Sequence, residues 1–355
     1  LEQGVFSGAT LLVAQKGEVV FEQGFGFVSG GEKRPVKAST LFDLASLTKP
    51  LATTTAVMLL IADRKAVLDE SLADFFPALE AREKASIAVR MLLAHCSGLP
   101  AWRPYYQEVL SIDQRGHAGF IGSPEAANFI YDKVQREELL FAPGSKELYS
   151  DLGFILLGQL VEKLAGQTLD RFCRDRIFEP IGMGSTRFFS IMEARTGLDI
   201  AATQDCPWRK RILRGEVDDD NAYAMGGVAG HAGLFSNTRD IHLLISRLRL
   251  SYLGEDDFVP AELARRFFQR QETIPGGSYA LGWDTPNAKN SSSGRRFSPS
   301  SVGHLGFTGT SIWWDLEKDC YVVLLTNRVH PSRKNEKIKE FRPWIHDLIM
   351  TSLGL

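Results

Sequence analysis

Hydrophobic positions cluster in two different ways along this chain. At both ends they form short runs of strand length, and through the middle they recur at helical spacing. Residues 9–15 and 19–26 are apolar-rich and flank Lys16-Gly17-Glu18, which predicts a hairpin. Residues 310–315 and 320–326 flank Leu316-Glu317-Lys318-Asp319 and predict a second one. The last stretch, 337–353, places Ile338, Phe341, Ile345 and Ile349 on one helical face, suited to pack on that sheet. Between the ends, helical patterns cover 50–62, 89–95, 124–139, 151–165, 169–178, 239–250 and 260–271. Segments 100–122 and 204–221 read as loops, and the Ser-rich 290–301 as a surface loop. Trp313 and Trp314 alternate across a strand, so their indoles should face opposite sides. The pattern predicts an antiparallel sheet built from both chain ends, with a mostly helical lobe inserted. In domain terms, 1–60 with 290–355 forms a sheet lobe, 61–289 a helical lobe, and the site lies in the cleft between them.

Composition narrows the function classes. The chain has 355 residues, 44% hydrophobic and 24% charged, enough for a large core. Lys+Arg at 41 against Asp+Glu at 43 leaves a net charge of −2, which argues against nucleic acid as a partner. The longest aliphatic run, 56–62, falls far short of the roughly 20 apolar residues of a membrane span, so no integral membrane segment is expected. Cys96, Cys173, Cys206 and Cys320 are scattered without metal-ligand spacing and read as unbridged buried thiols. No HExxH or EF-hand spacing occurs, so neither a metal nor a cofactor is expected. Compartment and oligomeric state do not follow from these patterns.

Three short elements could carry chemistry. In Ser46-Leu47-Thr48-Lys49, Lys49 lies one helical turn beyond Ser46, within reach of its hydroxyl. Pro50 suits a first turn, and a helix N-terminus offers free amides to an oxyanion. Burial and neighbouring cations would lower Lys49 from about 10.4 and leave a neutral amine able to act as base. Alone, the same pattern also describes a solvated, capped helix start. Tyr149-Ser150-Asp151 precedes the 151–165 helix. Asp151 is a natural N-cap, and Tyr149 projects into a cleft or is a half-buried aromatic. In Gly303-His304-Leu305-Gly306-Phe307-Thr308-Gly309, the spaced glycines allow close backbone approach. His304 could be a cation, a donor or a proton relay there, or a strand histidine satisfied by a neighbour. Gly230-His231-Ala232-Gly233 reads as a turn with His231 near the cleft, and Asp218-Asp219-Asp220 and Trp208-Arg209-Lys210-Arg211 as solvated loops.

Taken in order, these elements resemble the penicillin-recognising serine hydrolases, with Ser-x-x-Lys early, Tyr-x-Asn in the middle and Lys-Thr-Gly late. The sequence is similar to the branch of class C β-lactamases, D-Ala-D-Ala carboxypeptidases and family VIII carboxylesterases. Further support comes from the stretches 41–49, 92–99, 149–154 and 230–236, so the resemblance covers nearly the whole chain. It implies a β-lactamase/transpeptidase-like α/β fold of the α+β type. It makes Ser46 the nucleophile, Lys49 the group that deprotonates it or positions its proton, and Tyr149 a second acid–base group. The amides of Ser46 and Phe307 become the oxyanion hole, and Tyr149, Lys49 or His304 assists deacylation. Asp151, His304, Gly306 and Phe307 thus fall in the substrate-binding and oxyanion region.

Two departures shape the expected substrate. His304-Leu305-Gly306 stands where the family has Lys-Thr-Gly, and a leucine cannot help bind a carboxylate. Asp151 replaces the family asparagine, and a carboxylate there would favour a cationic Lys49. The expected reaction is therefore hydrolysis of a small ester, amide or peptide-like molecule through acyl-Ser46, chiefly esters or small acyl amides. The alternatives are a D-amino-acid carboxypeptidase or weak β-lactamase, and a non-catalytic ligand-binding or sensor member of the fold.

Overall fold

A computed structural model describes residues 1–355 except 80, 81, 194, 196, 273, 275 and 288, and the side chain of Arg82. Three strands come from the N-terminal end: β1 (Gly8–Gln15), β2 (Glu18–Ser29) and β3 (Glu32–Pro35). Three more come from the C-terminal end: β4 (Val302–Leu305), β5 (Ser311–Asp315) and β6 (Cys320–Thr326). They join in one antiparallel sheet of order β3-β2-β1-β6-β5-β4, in which Ala9 lies opposite Thr326. Both predicted hairpins are present, so the two chain ends meet along β1 and β6.

Alternation places successive side chains of each strand on opposite faces. Leu12, Ala14, Trp314, Val323 and Leu325 enter the large core beneath the helices. Leu11, Val13, Trp313, Val322 and Leu324 enter a smaller core, closed by Ile349 and Met350 of the C-terminal helix Ile338–Ser352. The two tryptophans therefore do face opposite sides, and both are buried. Each such side chain contributes about 1.5–3 kcal/mol on removal from water. Helix Thr238–Leu253, expected in the inserted lobe, packs instead on β1 and β6. It starts one residue before the 239–250 pattern, where Asn237 caps it by accepting from the Asp240 N–H, and runs on to Leu253, where Gly254 turns left-handed.

The reactive segment follows a short strand, Phe42–Asp43, paired with Leu234–Ser236. Ala45 then takes φ +48°, a conformation that usually costs a non-glycine residue about 1–3 kcal/mol. A 3-10 turn (Ala45–Leu47), a π-helical turn (Lys49–Thr54) and α-helix Thr55–Ala62 run on from it. The stretch Ala45–Ala62 has a mean hydropathy of 1.3 and would pass for a membrane span by composition, but 83% of it is buried inside the protein. It is the central core helix.

Helix Asp151–Ala165 matches its predicted bounds, and helices occur at Val89–Leu93, Pro124–Arg136, Leu169–Cys173 and Ala261–Phe268. The 100–122 segment contains a helix, Tyr105–Gln114, where a loop was expected. The 290–301 segment is irregular as expected but not merely superficial. Ser293 and Ser301 are fully buried, and Ser298 ties the segment to the sheet by donating from its N–H and Oγ to the Asp315 carboxylate at 2.8 and 2.6 Å. All four cysteines are buried free thiols.

Candidate active site

The edge strand β4 and the Ala45–Leu47 turn face one another, held by two threonines. Thr308 Oγ1 donates to the Asp43 carbonyl at 2.7 Å, and Thr310 Oγ1 to the Leu44 carbonyl at 3.0 Å. Gly306 is needed at this junction. A Cβ there would meet Thr310 Oγ1 at 1.9 Å and the Leu44 oxygen at 2.5 Å. Between the two segments opens a cavity of about 610 Å³, lined among others by Ser46, Tyr149, Asp151, His304, Gly306 and Phe307. That volume suits a small-molecule ligand.

At its base, Lys49 Nζ donates to Ser46 Oγ at 2.9 Å and to the His231 carbonyl at 3.1 Å, and pairs with Asp151 Oδ1 at 2.7 Å. Three acceptors surround a fully buried amine, an arrangement made for an ammonium. Burial alone would lower its pKa, but the Asp151 charge and then Tyr149 outweigh that and raise it. Of the two sequence expectations for Lys49, the neutral amine is overturned and the cation that Asp151 would favour is found. Tyr149 packs against the amine, its ring centroid 4.9 Å from Lys49 Nζ, and burial raises its phenol pKa despite the Lys49 charge. The resting set is therefore an ammonium, a neutral phenol and a serine hydroxyl. The Ser46 and Phe307 N–H groups find no partner within the protein among the described residues, so both are free to receive a developing oxyanion.

Asp151 does not cap its helix. Ser150 does, its Oγ accepting from the Gly153 N–H at 3.2 Å, which frees the Asp151 carboxylate for Lys49. His304 is buried, and burial followed by the Lys49 charge pulls its pKa down to about 3. Its Nδ1 lies 2.9 Å from the Leu305 carbonyl, so Nδ1 carries the proton and Nε2 can only accept. His304 is thus not the cation that the sequence allowed. Phe307 is half exposed, its ring 4.4 Å from the Arg328 guanidinium.

The loops read as solvated are also different. Asp218 and Asp220 are buried, bonded by Arg333 at 3.0 Å each, and Arg209 pairs with Asp220 at 3.0 Å. Arg209 also lies 3.9 Å from the Tyr223 ring. Asp219 bonds His231 Nε2 at 2.9 Å, and despite its burial the His231 contacts hold its carboxyl below the usual range. Because the His231 carbonyl accepts from Lys49, the acidic loop reaches the amine through one residue. His95, not singled out in the sequence, stacks 4.5 Å from the Tyr149 ring and accepts the Ser150 N–H at Nδ1. The only signal for it was its position in the 92–99 stretch.

Comparison with known proteins agrees with this geometry. The family model described as Beta-lactamase matches residues 1–342. A protein of Escherichia coli (strain K12), named provisionally as a D-alanyl-D-alanine carboxypeptidase, is 31% identical over 353 residues, covering 92% of this chain and 79% of that protein. Among solved structures, the octameric penicillin-binding protein homologue from Pyrococcus abyssi superposes with a TM-score of 0.75 at 22% identity, covering 99% of this chain and 75% of its own. EstCE1, described as a hydrolase with promiscuous acyltransferase activity, gives 0.70 at 21% identity, covering 96% and 95%. The chain belongs to the Beta-lactamase family of serine hydrolases.

Proposed function

We propose that Ser46 is the acylated nucleophile and that the substrates are esters or small acyl amides, bound where the sheet lobe (1–60 with 290–355, joined by helix Thr238–Leu253) meets the helical remainder of 61–289. The observation that carries this is the 2.9 Å contact between Lys49 Nζ and Ser46 Oγ at the base of the cavity. Ser46 Oγ attacks the acyl carbon, and its proton passes to the Lys49–Tyr149 pair in the form that has already lost one proton. The oxyanion rests on the Ser46 and Phe307 amides, each worth about 3–4 kcal/mol. The pair then protonates the leaving group, and water attacks acyl-Ser46 by the reverse sequence of proton transfers.

The ester preference follows from the charges around the cavity. His304 is neutral, Arg333 is engaged by Asp218 and Asp220, and Lys339 pairs with Glu336 at 2.8 Å. None of these is free for a substrate carboxylate, and the two further cations that line the cavity, Arg328 and Arg342, already donate to backbone carbonyls. The second reading, a D-Ala-D-Ala carboxypeptidase, draws on the name of the Escherichia coli relative and on the partly exposed Arg333 side chain as a carboxylate partner. Hydrolysis of p-nitrophenyl acetate, a D-Ala-D-Ala peptide and nitrocefin by the wild type and Ser46→Ala tests both. Ester turnover that disappears in the variant, with little peptide or nitrocefin cleavage, is expected. Equal ester rates in the two proteins would remove Ser46 as nucleophile, and faster peptide cleavage would establish the second reading.

A further inference from the structure

Arg342, in the first turns of the C-terminal helix, presents an unusual buried charge. It is 6% exposed, and only burial and the nearby Arg328 charge act on it, with no acidic partner; together they pull its pKa down to about 9. Its Nε has no hydrogen-bond partner among the described residues. What it does hold is backbone. Nη2 donates to the Gly306 carbonyl and to the Thr310 carbonyl, each at 2.8 Å.

The Gly306 carbonyl and the Phe307 N–H belong to one planar trans peptide, so they point in opposite directions. A guanidinium that anchors the oxygen fixes the N–H in the opposite direction, within the stretch where Gly306 and Phe307 line the cavity that Arg342 also borders. The following carbonyl is anchored in the same way, with Arg328 Nε donating to the Phe307 oxygen at 2.8 Å. The Gly309 N–H adds one neutral bond to the Gly306 oxygen at 3.0 Å. Gly306 has no Cβ to restrict its ψ, so this peptide is free to rotate unless something holds it. Charge-assisted bonds hold about twice as strongly as neutral ones, and a cation on the oxygen also polarises the peptide toward stronger donation at nitrogen.

We infer that Arg342 is a positioning residue for the oxyanion site, its guanidinium anchoring the Gly306 carbonyl so that the Phe307 N–H stays aimed at the acyl oxygen of the substrate. The inference rests on the reading that Phe307 N–H receives that oxygen. It assigns Arg342 no contact with substrate.

The test compares wild type, Arg342→Met and Arg342→Lys on a p-nitrophenyl ester and on its thiono counterpart, in which sulfur replaces the carbonyl oxygen. Arg342→Met should lose about 10- to 100-fold in kcat with KM within about threefold, less than the 10²–10³ of deleting an oxyanion donor outright. The preference for the oxygen ester over the thiono ester should shrink by a similar factor, which a general loosening of the fold does not produce. Arg342→Lys keeps a cation and should recover part of both. If Arg342→Met fails to fold, the lysine variant decides, since a folded Arg342→Lys with unchanged kcat and unchanged thiono discrimination overturns the inference. So does a rise in KM confined to substrates carrying a carboxylate, which would make Arg342 a substrate ligand. Ser46→Ala in the same assays separates the two levels. Turnover surviving there refutes the nucleophile, whereas a dead Ser46→Ala beside an unaffected Arg342→Met refutes only the positioning role.

Discussion

Replacing Asp151 by asparagine tests the protonation state on which the proposed chemistry depends. In the wild type the carboxylate lies 2.7 Å from an amine with no solvent exposure, and Asp151 is itself only 18% exposed. Removing one partner of such a pair commonly costs about 3–5 kcal/mol, because the remaining charge is buried without compensation. Lys49 has an escape that many buried charges lack, since it can lose its proton. Ser46 Oγ and the His231 carbonyl continue to favour the ammonium, so part of the loss appears as destabilisation and part as a lower pKa. If about 2–3 kcal/mol is expressed in the proton equilibrium, at 1.36 kcal/mol per pH unit, the change is about two pH units. The wild-type kcat/KM for p-nitrophenyl acetate should rise with pH through at least pH 9, because both Lys49 and Tyr149 are shifted upward. In Asp151→Asn that rise should occur about two pH units lower. Stability has a defined sign as well. A lysine raised in the folded state contributes fully below its unfolded value and loses that contribution as pH rises through its folded one. The variant's deficit in Tm should therefore be largest near pH 7 and fade at alkaline pH. A pH–rate profile that stays in place or moves upward would refute the argument that Asp151 keeps Lys49 charged.

Other perturbations probe the supports of the site. Asp43 is buried, accepts the Ala45 N–H at 2.8 Å and the Asp218 N–H at 2.6 Å, and is raised to about 7 by burial and then by the Asp218 charge. A raised carboxyl favours folding below its unfolded pKa and loses that advantage toward its folded one, so stability should fall by up to about 4 kcal/mol between pH 4 and 7. Urea midpoints at pH 4.5 and 7.5 should show this fall in the wild type and a flatter response in Asp43→Asn. Gly306→Ala places a Cβ 1.9 Å from Thr310 Oγ1 and should depress kcat severely in a protein that retains its circular dichroism, because only the junction of strand and nucleophile turn must shift. Gly230→Ala would set a Cβ 2.1 Å from the Phe154 carbonyl, where helix and loop cross, and should lower Tm by an amount equivalent to about 1–3 kcal/mol.

The elements with strong local signals were legible. Both hairpins are apolar-rich runs around short turns, and the 151–165 helix was bounded correctly although its cap is Ser150 and not Asp151. The Ser46–Lys49 pair could be read because its spacing is local, and Tyr149 was proposed beside it because the order of the motifs along the chain is characteristic. What could not be read depends on distant partners. Asp218 and Asp220 look solvated in a run of three acids, yet Arg333 meets them from more than a hundred residues away. For Lys49 the local pattern suggested a neutral base and the motif order, through Asp151, a cation, and only the 2.7 Å contact decides between them. The Ala45–Ala62 helix does not show in an aliphatic count, because Thr48, Thr53, Thr54 and Thr55 are buried within it, with Thr53 donating to the Gly230 carbonyl at 2.6 Å.

The adjacency of β1 and β6 sets a condition on how this protein comes to exist in active form. Pairing Ala9 with Thr326 closes a loop of more than three hundred residues, and such non-local contacts slow folding because chain entropy is lost before the contacts form. During synthesis the N-terminal hairpin emerges first and exposes one β1 edge until the last strands arrive, a template for pairing with other chains. The two segments that meet at the cavity, around Ser46 and around Phe307, are brought together only when that edge is filled. Catalytic competence should thus appear late and all at once, and a chain truncated before β6 should yield aggregation-prone material and not a partly active hydrolase.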